Sequence, residues 1–476
     1  MSDLDATGGQ DPVPLSWERG TMVVLPSLSF PVSELIKITG IDHYEERLLC
    51  TILLLDQPGV RIVYLTSQPV DPAIIDYHLG FLADPAAARS RLHLVSAGEA
   101  GPRPLTRKLL DRPEVLARVR QLLPGDGSAT LLPFNVTSGE EELAAALDLP
   151  LDGPPLDRVA LGSKTGARRV ARRAGVAVLA GEEALYSVEE VAAAIERLRL
   201  RGEAASAVVK LNDGFSGQGN ALVDLSGPSE FLSESTAFCA AGESWSSFGP
   251  KIAAEGAIVE ELLGSPLASP SVQLRIAPGG EVRVVSTHDQ ILGGPGGQVY
   301  QGCRFPAHAS YRSAVTRAAL AVGNVLAEKG VVGPLGIDFL VAGTDGELEI
   351  SLSEINLRMG GTTHPFWMAR LATAGHYAPD RGELVVGGRP RCYVATDNLK
   401  LPSLVGCTPA AIVEAVERAG LAFDRATGAG VTLHLLGALA RHGKVGATCI
   451  AENLVGAEGC FAELTAVLAN VGSERG

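Results

Sequence analysis

Residues 212–220 read NDGFSGQGN and lie between two apolar segments, AVVKL (207–211) and ALVDL (221–225). Glycines at 214, 217 and 219 allow close backbone approach and unusual dihedrals, and the amides of such a loop can cradle phosphate. The flanks decide which kind of loop it is. A Rossmann or Walker loop leads from a strand into a helix, whereas here one strand is followed by another. The segment is therefore expected as a hairpin flap, with Gly214, Ser216, Gly217 and Gly219 facing a bound phosphate chain. Taken alone it also fits a solvated glycine hairpin.

Only eight of the 40 basic residues are lysines, so a well-placed lysine carries weight. Lys210 ends the strand entering the flap, where its ammonium could reach phosphates held by the amides. Lys164 follows Ser163, an expected N-cap for a helix over 164–173 stopped by Gly175. Two lysines so placed would grip a triphosphate from two sides. The bland alternative is a pair of surface lysines.

With 476 residues the chain can bury several cores. Its apolar runs, such as 48–55, are too short to span a bilayer. The first twenty residues are polar and acidic and lack the layout of a signal peptide, so they are read as a flexible tail, with a cytoplasmic location expected. Seven scattered cysteines, none in C-x-x-C spacing, suit reduced thiols without disulfides or zinc. A formal charge of −14 and a pI near 5.2, with no basic-aromatic stretch, argue against a nucleic-acid partner. No G-x-S-x-G or H-E-x-x-H motif is present, which removes support for hydrolase readings.

Four apolar segments, TMVVLP, RIVYLTS, RLHLVS and ATLLPFNV, alternate with helical stretches, including one over 44–55, and imply an α/β domain over 21–157. The Pro/Gly-rich run DLPLDGPPLD at 148–157 is the strongest boundary. A capping box, Ser187 with Glu190, opens a helix to residue 201. Strands then dominate, with a helix inserted over 311–329, so 158–389 is expected as an α+β domain with an antiparallel sheet. Residues 390–476 are read as a small C-terminal α+β domain with two strands, a helix begun by Thr408-Pro409, and a last helix near 462–470.

The segment ELEISLSEINLRMGG places Glu354 and Asn356 on one face of a strand, with Asp338 on the strand before it. Oxygen ligands of this kind suit magnesium, which takes one or two carboxylates plus substrate phosphates; calcium and zinc fit less well. A turn of odd length over 343–346 would put Asp338 on the face of Glu354, and a two-residue Asp345-Gly346 turn would put it on the other. Arg358, two residues further, would point a cation into the same site, suited to a transferred phosphate or a developing oxyanion. An edge strand with polar residues facing water is the structural alternative.

In AIVEELLGS, Glu260 and Glu261 end an apolar strand before Leu262 and Leu263, a layout suited to a hinge that reads adenine, with Glu260 accepting from the exocyclic amine. Two exposed acids at a strand end would look the same. The stretch 286–308 carries five glycines with His288, Asp289, Gln290 and Arg304, and is read as a mobile loop closing over substrate. Arg304 is a candidate catalytic cation there. His288 is a candidate base, although a lone histidine is more often structural. Tyr44, Glu45, Glu46 and Arg47 could face the cleft, although a solvated helical face is the reading preferred, and His434 and His442 have no partner in the sequence.

The ordered set of Lys164, Lys210 with its flap, Glu260-Glu261-Leu262-Leu263, Asp338 and Glu354-Ile355-Asn356-Leu357-Arg358 resembles the ATP-grasp superfamily over 158–370. HYEERLL with RIVYLTS before it and HLLGALARHGKVGATCIAEN after it resemble the pheganomycin-type peptide ligases. The resemblance implies a pre-ATP-grasp domain, the grasp domain and a family C-terminal domain. It further implies ATP on the flap and lysines, Mg²⁺ on Asp338, Glu354 and Asn356, and Arg358 stabilising an acyl phosphate. No acid follows Leu263 where many relatives hold the ribose, which leaves Ser269 or Ser271 for that contact. The implied partners are a small carboxylate and an amine or peptide, with a homodimer left open. A dipeptide ligase, a biotin-type carboxylase and a non-catalytic ATP-binding regulator are the alternatives.

Overall fold

The computed structural model describes residues 19–202, 204–214, 219–226, 236–240, 242–263, 266–294, 297, 299–344 and 347–471. Ser216 and Gly217 of the expected flap lie outside the described residues.

The first sheet is parallel, in the order β3-β2-β1-β4, built from β1 (Arg19–Leu25), β2 (Gly59–Thr66), β3 (Leu92–Ser96) and β4 (Ala129–Pro133). Its strands are apolar on both faces because both are covered. Met22, Val24, Ile62 and Tyr64 face the 3₁₀ helix Ile41–Asp56, while Val23, Leu25, Val63 and Leu65 face the layer holding Leu105, Leu109, Val119 and Leu143.

The second sheet is antiparallel, in the order β5-β9-β6-β7-β8: β5 (Gly181–Leu185), β6 (Ser206–Leu211), β7 (Asn220–Asp224), β8 (Thr236–Phe238) and β9 (Ala257–Glu261). Val209, Val259, Ile195 and Phe248 form a core of its own with the helices Val188–Arg201 and Trp245–Glu255. The expected hairpin is present, Lys210 pairing with Asn220 across β6 and β7.

A ten-stranded sheet completes the molecule. It comprises β10 (Pro270–Ile276), β11 (Val282–Gly293), β12 (Val299–Phe305), β13 (Gly333–Thr344), β14 (Glu347–Asn356), β15 (His376–Ala378), β16 (Glu383–Val386), β17 (Arg389–Lys400), β18 (Gly430–His434) and β19 (Lys444–Ala451). The stretch 286–308, expected as a loop, instead forms most of the β11–β12 hairpin: four of its five glycines lie between the paired limbs or at their ends, and the limbs pair antiparallel with one register shift after Ile291. The helix Thr363–Thr373, which the sequence pattern does not announce, is buried along nearly its whole length and packs against Ile41–Asp56. Its polar residues, such as His364 and Arg370, are buried along with its apolar ones, so it shows no solvent-facing polar stripe. Through it the N-terminal layer and the large sheet share one core. No helix among the described residues is long and apolar enough to cross a membrane.

Candidate functional site

Strand β14 carries the centre of the site. Its hairpin with β13 joins Thr344 to Glu347 across a two-residue connection, and the pairing then shifts between Asp338 and Phe339, leaving Ser353 as an extra residue. This β-bulge brings Asp338 directly opposite Glu354, so their side chains share a face. Asn356 Nδ2 donates to Asp338 Oδ2 at 3.1 Å, and Arg358 Nη2 donates to Asn356 Oδ1 at 2.7 Å. For Asn356 to offer its oxygen to a cation beside Asp338, the amide must turn over.

Lys164 is the first residue of the helix Lys164–Arg173, capped by the Ser163 hydroxyl accepting from Gly166 N–H. Its ammonium lies 2.6 Å from Glu354 Oε1 and donates to Gly214 O at 3.4 Å, tying β14 to the root of the flap. The two limbs of the flap nearly touch: a Cβ on Gly219 would sit 2.8 Å from Gly214 Cα, so only glycine closes this neck without displacement.

Burial, followed by the charge of Glu354, pushes the Asp338 carboxyl up to about 6. Burial alone would also raise Glu354, but Lys164 and Arg358 outweigh it and hold it below the ordinary carboxylate range. Two half-buried acids stand side by side, one of them raised above its usual value, and both line a cavity. Oxygen donors of this kind fit a hard divalent cation such as Mg²⁺.

Two cavities of about 500 Å³ each meet at this strand. The first is lined by Lys164, Asn212, Asp213, Gly214 and Gly219, on the flap side. The second is lined by Asp338, Ser271, Tyr300, Arg47, Lys400 and Lys444. Glu354, Asn356 and Arg358 line both and form the shared wall. Such geometry can receive a phosphate from one side and a second reactant from the other.

Lys210 and Glu260 form a buried ion pair at 2.6 Å, and Arg168 Nη1 donates to the other Glu260 oxygen at 2.9 Å. The Glu260 carboxylate, expected to accept from an adenine amine, is thus held by two cations and 1% exposed. Glu261 Oε1 accepts from Ala180 N–H at 3.0 Å, which fastens the end of β9 to the segment before β5; Leu263 follows, half-buried. Arg168 gives no sequence cue, standing in a run of arginines whose burial only the helix orientation decides.

Three readings need correction, and the alternative left open at His288 goes to the structural side. Arg304 is absent from both cavities: it is half-exposed on β12 and donates to Glu458 Oε1 at 2.7 Å, because strand alternation turns it toward the helix Leu454–Asn470. His288 is wholly buried with Nε2 2.7 Å from Tyr393 Oη, and burial lowers its pKa to about 3, so it is a core residue rather than a base. Ser271 pairs with Asp338 and faces the second cavity, away from the flap, which removes it as a ribose contact; Ser269 donates to Phe339 O. Tyr44 to Arg47 are not a solvated face. Tyr44 and Arg47 line the second cavity, Glu45 accepts from Ser67, and Glu46 accepts from Gly437 N–H.

Asp397, which lines the second cavity, is held by two histidines whose partner the sequence does not announce. His364 and His434 both point Nε2 at Asp397 Oδ1, at 2.9 and 2.8 Å, and Arg47 Nη1 lies 3.3 Å from Asp397 Oδ2. These donors are close enough to surround a cation. Arg47 already neutralises the carboxylate, however, and the cluster reads as a clamp on β17 and β18. Gly446, opposite His434, makes room for the ring, and a Cβ there would collide with Nε2. Gly446→Ala should therefore displace His434 and destabilise the fold by about 1–3 kcal/mol. An unchanged melting temperature would show that the ring has room to spare.

Comparison with known proteins bears on the family and the fold. The chain matches the Pre ATP-grasp domain over residues 56–149, the IQCH-like ATP-grasp domain over 236–364 and the PGM1 C-terminal domain over 411–460. The L-propargylglycine–L-glutamate ligase of Streptantibioticus cattleyicolor is 34% identical over 452 residues, 92% of each chain. IQ motif-containing protein H of Danio rerio is 22% identical over 399 residues, 72% of this chain but 38% of that protein. In fold, a Campylobacter jejuni biotin carboxylase solved with β,γ-ATP superposes with a TM-score of 0.59 at 14% identity, over 95% of this chain and 94% of that one. The purK N5-carboxyaminoimidazole ribonucleotide synthetase, solved with ADP, gives 0.55 at 13% identity over 98% and 99%. With three successive domain matches and a named ligase related along nine-tenths of its length, the chain belongs to the ATP-grasp ligases that form carbon–nitrogen bonds, in the branch of the pheganomycin-type peptide ligases.

Proposed function

We propose that this enzyme joins the carboxylate of one amino acid to the amine of a second amino acid or a peptide through an acyl phosphate made from ATP. The observation that carries this reading is the shared wall: Glu354, Asn356 and Arg358 face both the flap-side cavity and the second cavity. The triphosphate would lie under the flap with Lys164, Lys210, Gly214 and Gly219, and the adenine would approach the Glu260-Glu261-Leu263 hinge. Asp338 and Glu354, with Asn356 if its amide turns, would hold Mg²⁺, which supplies charge neutralisation across the transferred phosphate.

Lys164 lies against Glu354 where it can follow the phosphate's charge. A carboxylate oxygen from the second cavity attacks the γ-phosphorus, and the bond to ADP breaks. The amine then attacks the acyl carbon and loses a proton, while the carbon–oxygen bond to phosphate breaks and phosphate leaves with the electron pair. Arg358, in the wall that both cavities share, would stabilise the tetrahedral oxyanion. L-Propargylglycine and L-glutamate, named for the bacterial relative, indicate the substrate class: two small amino acids.

The test is incubation with ATP, MgCl₂ and pools of amino acids and peptides, measuring phosphate release and new amide masses. No product with any amine would overturn the proposal. Release that depends on bicarbonate would make the enzyme a carboxylase, and nucleotide binding without turnover would make it a regulator. Arg358→Lys should lower kcat about a hundredfold or more, because a point charge replaces a fixed fork of donors, with less effect on the KM for ATP. An equal rise in the KM for ATP at unchanged kcat would instead place Arg358 in ground-state binding.

A further inference from the structure

The far end of the second cavity is built from cations that the bond-forming step does not use. Lys400 and Lys444, two of the chain's eight lysines, stand directly opposite each other on β17 and β19. Like charges at opposed positions of an antiparallel pair repel, and nothing in the fold requires lysine at both. Lys444 is 3% exposed, and its ammonium donates to Thr39 O at 3.1 Å and Tyr44 Oη at 2.8 Å, both neutral. Among the described residues no carboxylate lies within ion-pair distance of it. Burial lowers it to about 8, Asp397 pulls it back, and Arg47 and Lys400 push it down further.

Arg47, also buried, completes the group. Its Nη1 rests on Asp397 Oδ2, but its Nη2 has no hydrogen-bond partner among the described residues. A buried guanidinium N–H left unpaired is costly and calls for an acceptor. Asp397 cannot serve all three cations, because its Oδ1 is taken by His364 and His434. Glu34, at the cavity edge, is paired with Lys37 at 2.9 Å. Arg47 is also close enough to Arg358 to bear on its charge, so the cations lead from this end toward the reacting centre.

We propose that Arg47, Lys400 and Lys444 form the subsite that seats the free carboxylate of the acceptor, orienting its amine toward Arg358 and Glu354. The proposal rests on the ligase reading above. It favours acceptor over donor for a chemical reason. A donor with a single carboxylate consumes it at Arg358, and its remaining charged group is an ammonium, which three cations would repel. The acceptor presents its amine to the reaction and keeps a carboxylate that must go elsewhere. A cavity of about 500 Å³ holds an amino acid or short peptide.

The test compares each acceptor as the free acid and as its carboxyl amide, with the amide as the internal standard for folding and for the first half-reaction. The wild type should prefer the acid by about a hundredfold or more in kcat/KM. Lys444→Met and Lys400→Met should each shrink that ratio about tenfold, mainly through the KM for the acid. Equal use of acid and amide by the wild type, or ratios unchanged in both variants, would overturn the subsite. Should Lys444→Met not fold, the exposed Lys400 carries the comparison. If no amine yields a product, the ligase reading fails separately. Calorimetric titration with L-propargylglycine and its carboxyl amide then decides the subsite: heat with the acid alone, lost in Lys400→Met, supports it, and any other pattern overturns it.

Discussion

Replacing Glu354 by Gln should lower ATP-dependent amide formation about a thousandfold or more while the circular dichroism spectrum stays that of the parent protein. The change keeps shape and removes charge. Glu354 is the acid held ionised at this site, since Lys164 and Arg358 outweigh the effect of burial, whereas Asp338 retains its proton up to about pH 6. The variant would keep one weak anionic ligand where two are proposed, and Lys164 would lose the carboxylate 2.6 Å away. Losing several kcal/mol of charge stabilisation in the phosphoryl-transfer step corresponds to about three powers of ten. Undiminished phosphate release would show that the metal sits elsewhere. In the variant Asp338 loses a like-charged neighbour, so its carboxyl should titrate lower than in the parent, a shift that NMR can read in the absence of metal.

Replacing Glu260 by Gln should instead act on stability. Glu260 is 1% exposed and holds Lys210 on one oxygen and Arg168 on the other. Removing the central anion leaves two buried cations facing each other, and breaking buried pairs in this way typically costs about 3–5 kcal/mol. Chemical denaturation is the measurement, and a loss below about 1 kcal/mol would mean that water reaches the pair. Adding Lys210→Met to Glu260→Gln should recover part of the loss, because Arg168 still has Glu183 at 3.1 Å. Nucleotide binding should not recover with it, since Lys210 is a proposed phosphate ligand. The two readouts therefore separate the structural role of Glu260 from the binding role of Lys210.

Much of the site is local in sequence and was readable there. The cap Ser163 and the helix it starts set Lys164, the strand-to-strand flanks set the flap, and two-residue spacing on β14 sets Glu354, Asn356 and Arg358 in a row. The cluster around Asp397 was not readable. Arg47, His364, Asp397 and His434 come from a 3₁₀ helix, a buried helix and two strands, and hundreds of residues separate the first from the rest. A buried histidine looks like any other until its partner is known. Arg304 failed for the opposite reason: the glycines of 286–308 suggested a loop, and with β12 unseen its alternation, which faces Arg304 toward Glu458, could not be counted.

Asp338 shows where the division lies. Residue types and spacing determined that two acids and an amide stand on neighbouring strands of one hairpin, which is enough to name the chemistry. They did not determine whether the acids share a face. The connection between Thr344 and Glu347 has two residues, and with unbroken pairing Asp338 would have met Ser353, leaving Glu354 on the other side of the sheet. The bulge at Ser353 reverses this, because side chains alternate with a period of two and one inserted residue exchanges the faces. Only the packed sheet decides that, since β13 is also paired to β10, which places Ser271 beside Asp338 and holds the register on that side.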